Sequence, residues 1–364
     1  MLNAMQVQVQ MQKKLKVGVL GCGVISQAAH LEACARAANV QLQAICDVAP
    51  DLVENMNHKY RPNRAYTDYD AMLADPEVEA VVIGIADQFH VPMAAKALQA
   101  GKHVLVEKPL GVTIEECVEL EALARSTNLT VQVGNMKRFD PGIAYARTFI
   151  QEEMGEMLAL KAWYCDSTYR YTVTDNVMPV MVSSDAARKP EGNPKLDKQR
   201  YYMMTHGSHL VDTARFLGGE IESVHAWHTQ RFGAYNWLCT VEYANGTAGQ
   251  LDLTVAVRMD WHEGFQVYGE HGSVIGKTYN PWLFKASEVE VFSAKDGIYR
   301  KPLGADAHFY KLQLEGFADT VLNGAPMRGA SLYDGVQNMR AMVAIARSVD
   351  SGGKVNLADV TGAV

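Results

Sequence analysis

The chain has 364 residues, of which 48% are hydrophobic and 21% charged, and its formal net charge is −7. This length predicts two domains, and the composition is that of a globular protein rather than a disordered chain. The acidic balance gives no positive field to attract nucleic acid, and no apolar run approaches the roughly 18 residues that a membrane-spanning helix requires. We therefore expect neither nucleic acid nor a membrane as a partner.

The N-terminus and the cysteines indicate a cytoplasmic location. Residues 1–14 alternate Gln with Val and Met and lack the apolar core of a secretory signal, so we regard them as an extension outside the fold. The six cysteines are scattered without a Cys-x-x-Cys pair, which is typical of buried free thiols in a reducing cytoplasm. We expect no disulfides.

Short β-branched runs alternate with amphipathic stretches in the first part of the chain. The predicted strands are Lys16–Leu20, Val40–Cys46, Ala80–Ile85, His103–Val106 and Thr130–Val133. The helices predicted between them include Val24–Ala37, Val91–Gln99 and Ile114–Ser126. Apolar strands that alternate with helices predict a doubly wound parallel sheet, covered on both faces, over residues 15–138.

The pattern changes after Pro141, where a helix to about Glu153 precedes a region of strands. The predicted strands are Met157–Tyr164, Ser223–Thr229, Asn236–Tyr243, Thr247–Val257, Gly264–Tyr268, Ser273–Lys277 and Glu288–Phe292. Turn sequences such as Asn245-Gly246 separate several of them, which predicts a large, open, mostly antiparallel sheet. Two closing helices within residues 309–350 complete an α+β domain over residues 139–364.

One polar stretch, residues 166–199, has no sustained periodicity. Irregular segments of this length inside a compact domain are usually functional or disordered. Because the most histidine-rich part of the chain follows it, we expect a substrate lid or a subunit contact.

A glycine-rich turn connects the first strand to the first helix. It reads Gly21-Cys22-Gly23-Val24-Ile25-Ser26, which is the G-x-G-x-x-G/A pattern with Ser in the third place. The glycines allow a tight turn and close approach of a pyrophosphate, and the helix N-terminus offers free N–H groups to it. The turn therefore predicts a dinucleotide site formed by Gly21, Gly23, Val24 and Ile25.

Asp47 ends the second strand, where a carboxylate accepts the ribose hydroxyls of a bound adenosine. The same charge repels a 2′-phosphate, which favours NAD over NADP as the cofactor. The alternative is that Asp47 only caps the helix beginning near Pro50. Lys108 follows the fifth strand and would face the nicotinamide end of the crevice, where burial lowers an amine pKa and makes it a proton acceptor. The alternative for Lys108 is a surface position.

The chain resembles the glucose–fructose oxidoreductase/inositol dehydrogenase/MocA (Gfo/Idh/MocA) family. The resemblance lies in the glycine turn, Asp47, the run from Gly101 to Leu110 that contains Glu107-Lys108-Pro109, Gly134 through Arg138-Phe139-Asp140-Pro141, and Gly207 through Asp212. It implies a Rossmann domain, a C-terminal sheet that mediates dimers or tetramers, and NAD(P)-linked oxidation of a sugar, polyol or cyclitol. Lys108 would be the catalytic lysine. Ala86, Gln88, His90, Glu107 and Lys108 would line the cofactor pocket.

The histidine segment departs from the family pattern. Many related dehydrogenases have Asp-x-x-x-His-x-x-Asp, whereas this chain has Thr205 in the first position and retains His209 and Asp212. Thr cannot act as a base at neutral pH. Proton transfer would therefore fall to His209, Lys108 or His206, with Asp212 orienting His209. His206 and His209 lack an obvious third ligand, so we expect no metal.

Several polar and aromatic residues are candidates for binding a sugar. The substrate set comprises Lys108, Arg138, Asp166, Tyr201, Thr205, His206 and His209, with Lys137, Tyr164, Tyr169 and Arg200 as weaker candidates. For Lys137 and Arg138 the alternative is a salt bridge at the domain boundary.

These features predict an NAD-dependent dehydrogenase that oxidises a secondary alcohol of a sugar, polyol or cyclitol. Two alternatives remain open. One is a glycoside-cleaving enzyme of the same fold, in which NAD is recycled through transient oxidation and elimination. The other is a regulator that binds NAD without catalysis.

Overall fold

The computed structural model describes residues 13–167, 181–187, 196–305 and 307–364. Its strands form two sheets, one of six strands and one of nine. The strands of the first sheet are β1 (Leu15–Leu20), β2 (Val40–Cys46), β3 (Arg64–Tyr66), β4 (Ala80–Ile83), β5 (His103–Val106) and β6 (Val131–Val133). The helices among them are α1 (Leu31–Arg36, after a π-helical turn at Ser26–His30), α2 (Pro50–Tyr60), α3 (Tyr69–Leu73), α4 (His90–Gln99) and α5 (Ile114–Arg125).

The first sheet is parallel throughout and has the strand order β3-β2-β1-β4-β5-β6. Its central strands are buried on both faces because helices cover both sides, which explains their uniformly apolar sequences. The order reverses between β1 and β4, and such a reversal opens a crevice beyond the carboxyl ends of the strands. The predicted doubly wound α/β domain is confirmed.

The second sheet is mostly antiparallel, as predicted, with one parallel pair formed by β7 and β10. Its strands are β7 (Met157–Ser167), β8 (Ile221–Arg231), β9 (Ala234–Tyr243), β10 (Ala248–Val257), β11 (His262–Gly269), β12 (Gly272–Thr278), β13 (Glu288–Ser293), β14 (Ile298–Arg300) and β15 (Val355–Asn356). The accompanying helices are α6 (Pro141–Glu152), α7 (Lys198–Tyr202, continued by a π-helical turn at Met203–Gly207), α8 (Ser208–Gly218), α9 (Phe309–Asn323) and α10 (Leu332–Ser351).

The two C-terminal helices return to the parallel sheet. Phe309, Leu314 and Phe317 of α9 share a buried cluster with Val17 and Val19 of β1. Helix α10 packs against α5 and against β8, so it contacts elements of both sheets. Residues late in the sequence therefore complete the core around the first sheet.

Asp140 fixes the junction between the two parts of the chain. It is fully buried and caps α6, accepting hydrogen bonds from the Gly142 N–H at 2.8 Å and the Ile143 N–H at 3.4 Å. The same carboxylate accepts from the Ser287 N–H at 3.0 Å and the Ser287 hydroxyl at 2.6 Å. Because Ser287 immediately precedes β13, one side chain anchors the second sheet beside the end of β6.

Part of the irregular stretch lies outside the described residues. Strand β7 continues to Ser167, beyond its predicted end, and the next described residues are 181–187. The candidate Tyr169 lies outside the described residues. All six cysteines are buried free thiols. Within the described ranges, no helix has the length and apolar character needed to cross a membrane.

Candidate active site

A cleft of about 800 Å³ opens at the carboxyl ends of β1, β2 and β4. It brings together the glycine turn, the acid after β2 and three residues of the second half of the chain, which are Ala187, Tyr201 and Thr205. The predicted site residues that line it are Gly21, Gly23, Val24, Ile25, Asp47, Ala86, Tyr201 and Thr205.

The two glycines of the turn have different structural roles. Gly21 has a φ of +96°, and a Cβ added there would lie 2.4 Å from the Gly84 carbonyl oxygen, so no other residue fits. A Cβ added to Gly23 would meet no atom within 4 Å, which leaves open space beside the turn. That space and the following helix N-terminus fit a pyrophosphate.

Asp47 connects the glycine turn to the start of α2. Its carboxylate accepts hydrogen bonds from the Cys22 N–H at 2.7 Å and the Ala49 N–H at 2.9 Å. The bond to Ala49, the N-cap residue of α2, corresponds to the capping alternative. The bond to Cys22 goes beyond capping, because it holds the acid against the phosphate-binding turn while the side chain lines the cleft.

The turn after β5 carries Glu107 and Lys108, and Lys108 reaches Thr205, a lining residue of the cleft. Glu107 is buried and lies 3.0 Å from Nε2 of His30. Burial acts to raise the pKa of Glu107, but the hydrogen bond and charge of His30 outweigh it and lower that pKa. Lys108 donates from Nζ to the Thr205 carbonyl at 3.2 Å. Burial lowers the pKa of Lys108, and the charges of Glu107 and Asp87 only partly oppose this effect.

Four residues predicted to line the cofactor pocket are absent from the lining of the cleft. Among the described residues these are Gln88, His90, Glu107 and Lys108, although Lys108 contacts the lining residue Thr205. The buried His90 ring lies 2.7 Å from the Pro109 carbonyl and 3.0 Å from the Ile85 carbonyl, which ties the loop after β4 to the lysine turn. The order along the chain could not separate such supporting residues from lining residues.

The second half of the site comes from α7, the π-helical turn and α8. The Thr205 hydroxyl donates to the Tyr201 carbonyl at 2.7 Å, four residues earlier. With its proton engaged there, the hydroxyl oxygen faces the cleft as an acceptor. The Thr205 carbonyl receives the Lys108 amine, so this residue joins the two halves of the site. A wide π-helical turn at such a position is typical of functional sites.

The two histidines flank Tyr164 of β7. The His209 ring is stacked on the Tyr164 ring, with centroids 5.9 Å apart and an interplanar angle of 1°. Burial, reinforced by the positive charges of Lys108 and Lys137, holds the pKa of His209 well below its usual value. His209 is therefore neutral at neutral pH and can accept a hydrogen bond. Nδ1 of His206 lies 3.4 Å from the Tyr164 hydroxyl and 3.8 Å from Oδ2 of Asp166.

A buried ion pair between Lys137 and Glu263 lies against the ring of Tyr164. Both side chains are almost fully buried, and Lys137 Nζ lies 4.4 Å from the centre of the Tyr164 ring. Trp261 donates from Nε1 to Glu263 at 3.2 Å and packs edge-on against Tyr164. Sequence reasoning missed Glu263 and Trp261. A signal existed, since Glu263 shares the inward face of β11 with Phe265 and Val267.

Arg138 and Asp212, predicted to contact substrate and to orient His209 respectively, bind each other and helix α10. The buried Arg138 guanidinium forms ion pairs with Asp212 at 2.7 Å and with Asp334 at 3.0 Å. Asp212 also accepts a hydrogen bond from Asn338 at 2.9 Å. These contacts match the salt-bridge alternative, because a buried guanidinium requires buried carboxylates. In the part of the chain that is described, no group of three or more His, Cys, Asp or Glu residues could hold a metal ion.

Comparisons with known proteins agree with this arrangement. Residues 15–135 match the oxidoreductase family with an NAD-binding Rossmann fold, and residues 173–275 match the GFO/IDH/MocA C-terminal domain. Inositol 2-dehydrogenase 2 of Saccharopolyspora erythraea is 25% identical over 353 residues, covering 93% of this chain and 94% of that protein. The scyllo-inositol 2-dehydrogenase (NAD(+)) of Bacillus subtilis is 24% identical over 363 residues, covering 95% and 97%.

Solved structures share the whole architecture. A levoglucosan dehydrogenase in complex with NADH and L-sorbose has a TM-score of 0.78 at 21% identity, covering 95% of this chain and 99% of that one. At this identity the likeness establishes the fold. The fold, the glycine turn and the two matched regions together define an NAD-binding oxidoreductase. The chain belongs to the Gfo/Idh/MocA family.

The Arg138 ion pairs yield a stability prediction. Arg138→Met would leave the buried Asp212 carboxylate without its cation and Asp334 with Arg215 alone, so the free energy of unfolding should fall by about 3–5 kcal/mol. Urea unfolding followed by circular dichroism measures it. The control is Arg231→Met, since Arg231 is exposed and its loss should cost less than about 0.5 kcal/mol. Equal stability of the two variants would contradict a structural role for Arg138.

Proposed function

We propose that this protein is an NAD-dependent dehydrogenase that oxidises a secondary alcohol of a sugar, polyol or cyclitol. The observation that carries the proposal is the meeting of Lys108 and His209 beside Thr205, which lines the dinucleotide cleft. An amine of lowered pKa, a hydroxyl acceptor and a neutral imidazole lie there together. This set suits the binding and deprotonation of a hydroxyl group.

The cleft fits NAD in particular. The space beside Gly23 accommodates the pyrophosphate, and the Asp47 carboxylate retains lone pairs for the ribose hydroxyls while its charge opposes a 2′-phosphate. Bound NAD would supply the nicotinamide ring that accepts a hydride. The residues of this chain would hold the substrate C–H bond toward that ring and remove the hydroxyl proton.

Lys108 is the proton acceptor in this proposal, and His209 positions the alcohol. The lowered pKa of Lys108 supplies a neutral amine at moderately alkaline pH. The hydrogen bond to the Thr205 carbonyl holds that amine in one position. The neutral His209 ring accepts a hydrogen bond from a neighbouring hydroxyl, and its stacking on Tyr164 limits its rotation.

The surrounding side chains support a carbohydrate-like substrate. Trp261 supplies a partly exposed aromatic ring beside the buried Tyr164, and Asp166 and His206 supply polar groups next to it. Tyr201 lines the cleft next to Thr205. Polar groups suit several hydroxyls, and aromatic faces suit the C–H faces of a ring. The inositol dehydrogenases among the relatives make a cyclitol the first class to test.

The proposal is tested by NADH absorbance when the protein and NAD are mixed with cyclitols, free sugars and glycosides. Wild-type protein should form NADH with at least one cyclitol or sugar. Lys108→Met should lower kcat by about 10²–10⁴-fold, because the alcohol loses its proton acceptor, while NADH binding persists. The matched control is Lys295→Met, since Lys295 is exposed in the turn between β13 and β14.

Three outcomes of that experiment contradict the proposal. Turnover of Lys108→Met within a few-fold of wild type would remove Lys108 from the mechanism. A cleaved glycoside without net NADH would identify the recycling enzyme instead. NADH binding with every compound left intact would favour the regulator.

The pH dependence of kcat follows from the lowered pKa of Lys108. A protonated amine cannot accept a proton, so alcohol oxidation should accelerate as the pH rises and level off below the ordinary pKa of a lysine. His209 should add no limb near pH 7, because its pKa lies well below the usual value. Steady-state rates of wild type and Lys108→Arg across the pH range measure this. A rising limb that persists in Lys108→Arg would contradict the assignment.

We also propose that a second copy of this chain covers the outer face of the nine-stranded sheet. Trp227 and Leu238 are directly opposite each other on β8 and β9, and they are 52% and 41% exposed. Ile275 of β12 is 47% exposed. Exposed apolar side chains gathered on one sheet face indicate a protein interface.

Sedimentation tests this interface. Wild type should sediment as a dimer or tetramer, and Trp227→Glu should shift it toward the monomer because a charge would be buried there. The control is Leu303→Glu, since Leu303 is 97% exposed and lies outside the sheet. A monomeric wild type, or an unchanged assembly of Trp227→Glu, would contradict the proposal.

A further inference from the structure

Residues 181–187 belong to the irregular stretch to which the proposed function assigns no role. They lie against the parallel-sheet part of the chain, where Val182 and Ala187 pack on the hydrophobic cluster around β1 and α9. Ala187 lines the dinucleotide cleft. The segment therefore adjoins the cofactor site rather than the substrate pocket.

Gln27 binds this segment through both groups of its side-chain amide. The Val182 N–H donates to Oε1 of Gln27 at 2.8 Å, and Nε2 of Gln27 donates to the Val182 carbonyl at 2.9 Å. The same Nε2 donates to the Cys22 carbonyl at 2.8 Å. Gln27 is only 2% exposed, so these bonds are sheltered from water and costly to leave unmade.

Ser184 attaches residues 181–187 to a second element, helix α2. The Ser184 hydroxyl donates to Oδ1 of Asp51 at 2.7 Å. Asp51 is in the first turn of α2, close in sequence to Asp47. Residues 181–187 are thus held both by the helix that follows the glycine turn and by the helix that follows the ribose acid.

These contacts form a continuous chain of hydrogen bonds. Asp47 accepts from the Cys22 N–H, the Cys22 carbonyl accepts from Gln27, and Gln27 pairs with the backbone of Val182. The groups expected to hold the ribose and the pyrophosphate are therefore linked directly to residues 181–187. Movement of this segment would disturb both.

We propose that residues 181–187 are a strap that retains the bound dinucleotide, and that Gln27 is the positioning residue that fastens it. A dinucleotide that leaves the cleft must wait for the strap to detach from Gln27 and Asp51. The strap therefore governs the rate of dinucleotide release. This inference requires the NAD binding of the family and is independent of the substrate.

The test is the rate of NADH release, measured by stopped-flow fluorescence when the NADH-loaded protein is mixed with a large excess of NAD. Gln27→Leu keeps the bulk of the side chain and removes all three hydrogen bonds, so release should accelerate about tenfold or more. Ser184→Ala removes the attachment to Asp51 and should accelerate release a few-fold. The control is Gln99→Leu, because Gln99 is exposed at the end of α4.

Thermal melting of the same variants separates retention from stability. Faster release with a melting temperature close to that of wild type supports the strap. Release at the wild-type rate from Gln27→Leu and Ser184→Ala would overturn it, and so would a lowered melting temperature with unchanged release. If Gln27→Leu does not fold, Ser184→Ala alone decides, since Ser184 is partly exposed on the strap itself.

Discussion

The hydrogen bond from the Lys108 amine to the Thr205 carbonyl joins the two halves of the candidate site. Lys108 stands at the carboxyl end of a parallel strand, and Thr205 lies in a π-helical turn that continues into the helix of His209. A free amine cannot hold one position, so its catalytic use depends on a fixed acceptor. The acceptor here is a backbone carbonyl, which leaves the side chain of residue 205 free to differ from the aspartate of the family pattern.

Pairing of buried charge organises the surroundings of that bond. Lys137 with Glu263, Arg138 with Asp212, and Glu107 with His30 are all buried, and Asp334 adds a partly exposed partner to Arg138. Each of the first two pairs connects the end of β6 to the later part of the chain. A charge left unpaired at these depths would cost several kcal/mol, so these pairs hold the two sheets in register. Burial lowers the pKa of His209, and the charges of Lys108, Lys137 and His206 lower it further.

Local sequence patterns predicted most strands and helices. They did not predict contacts between residues that are far apart in the chain. Val40–Cys46 and His103–Val106 were predicted residue for residue because each is a short run rich in Val, Leu or Ile with polar or turn residues on both sides. Strands β3 and β15 have three and two residues, too short to carry a period. The glycine turn and Asp47 lie in one cleft because the carboxyl ends of parallel strands share one edge of a sheet, whereas Thr205 reaches that cleft from a helical turn. The Gln27–Val182 contact joins residues 155 positions apart, and no local pattern encodes such a partner.

The central claim is hydride transfer from a substrate carbon at the Lys108 site. The most direct measurement uses a cyclitol deuterated at its carbinol carbons, with mass spectrometry of the NADH that forms in the presence of wild-type protein. We expect one deuterium in each reduced nicotinamide formed by wild type, and almost no NADH from Lys108→Met. Reduced nicotinamide without deuterium would contradict hydride transfer from the substrate. Equal amounts of deuterated NADH from wild type and Lys108→Met would contradict the role of Lys108.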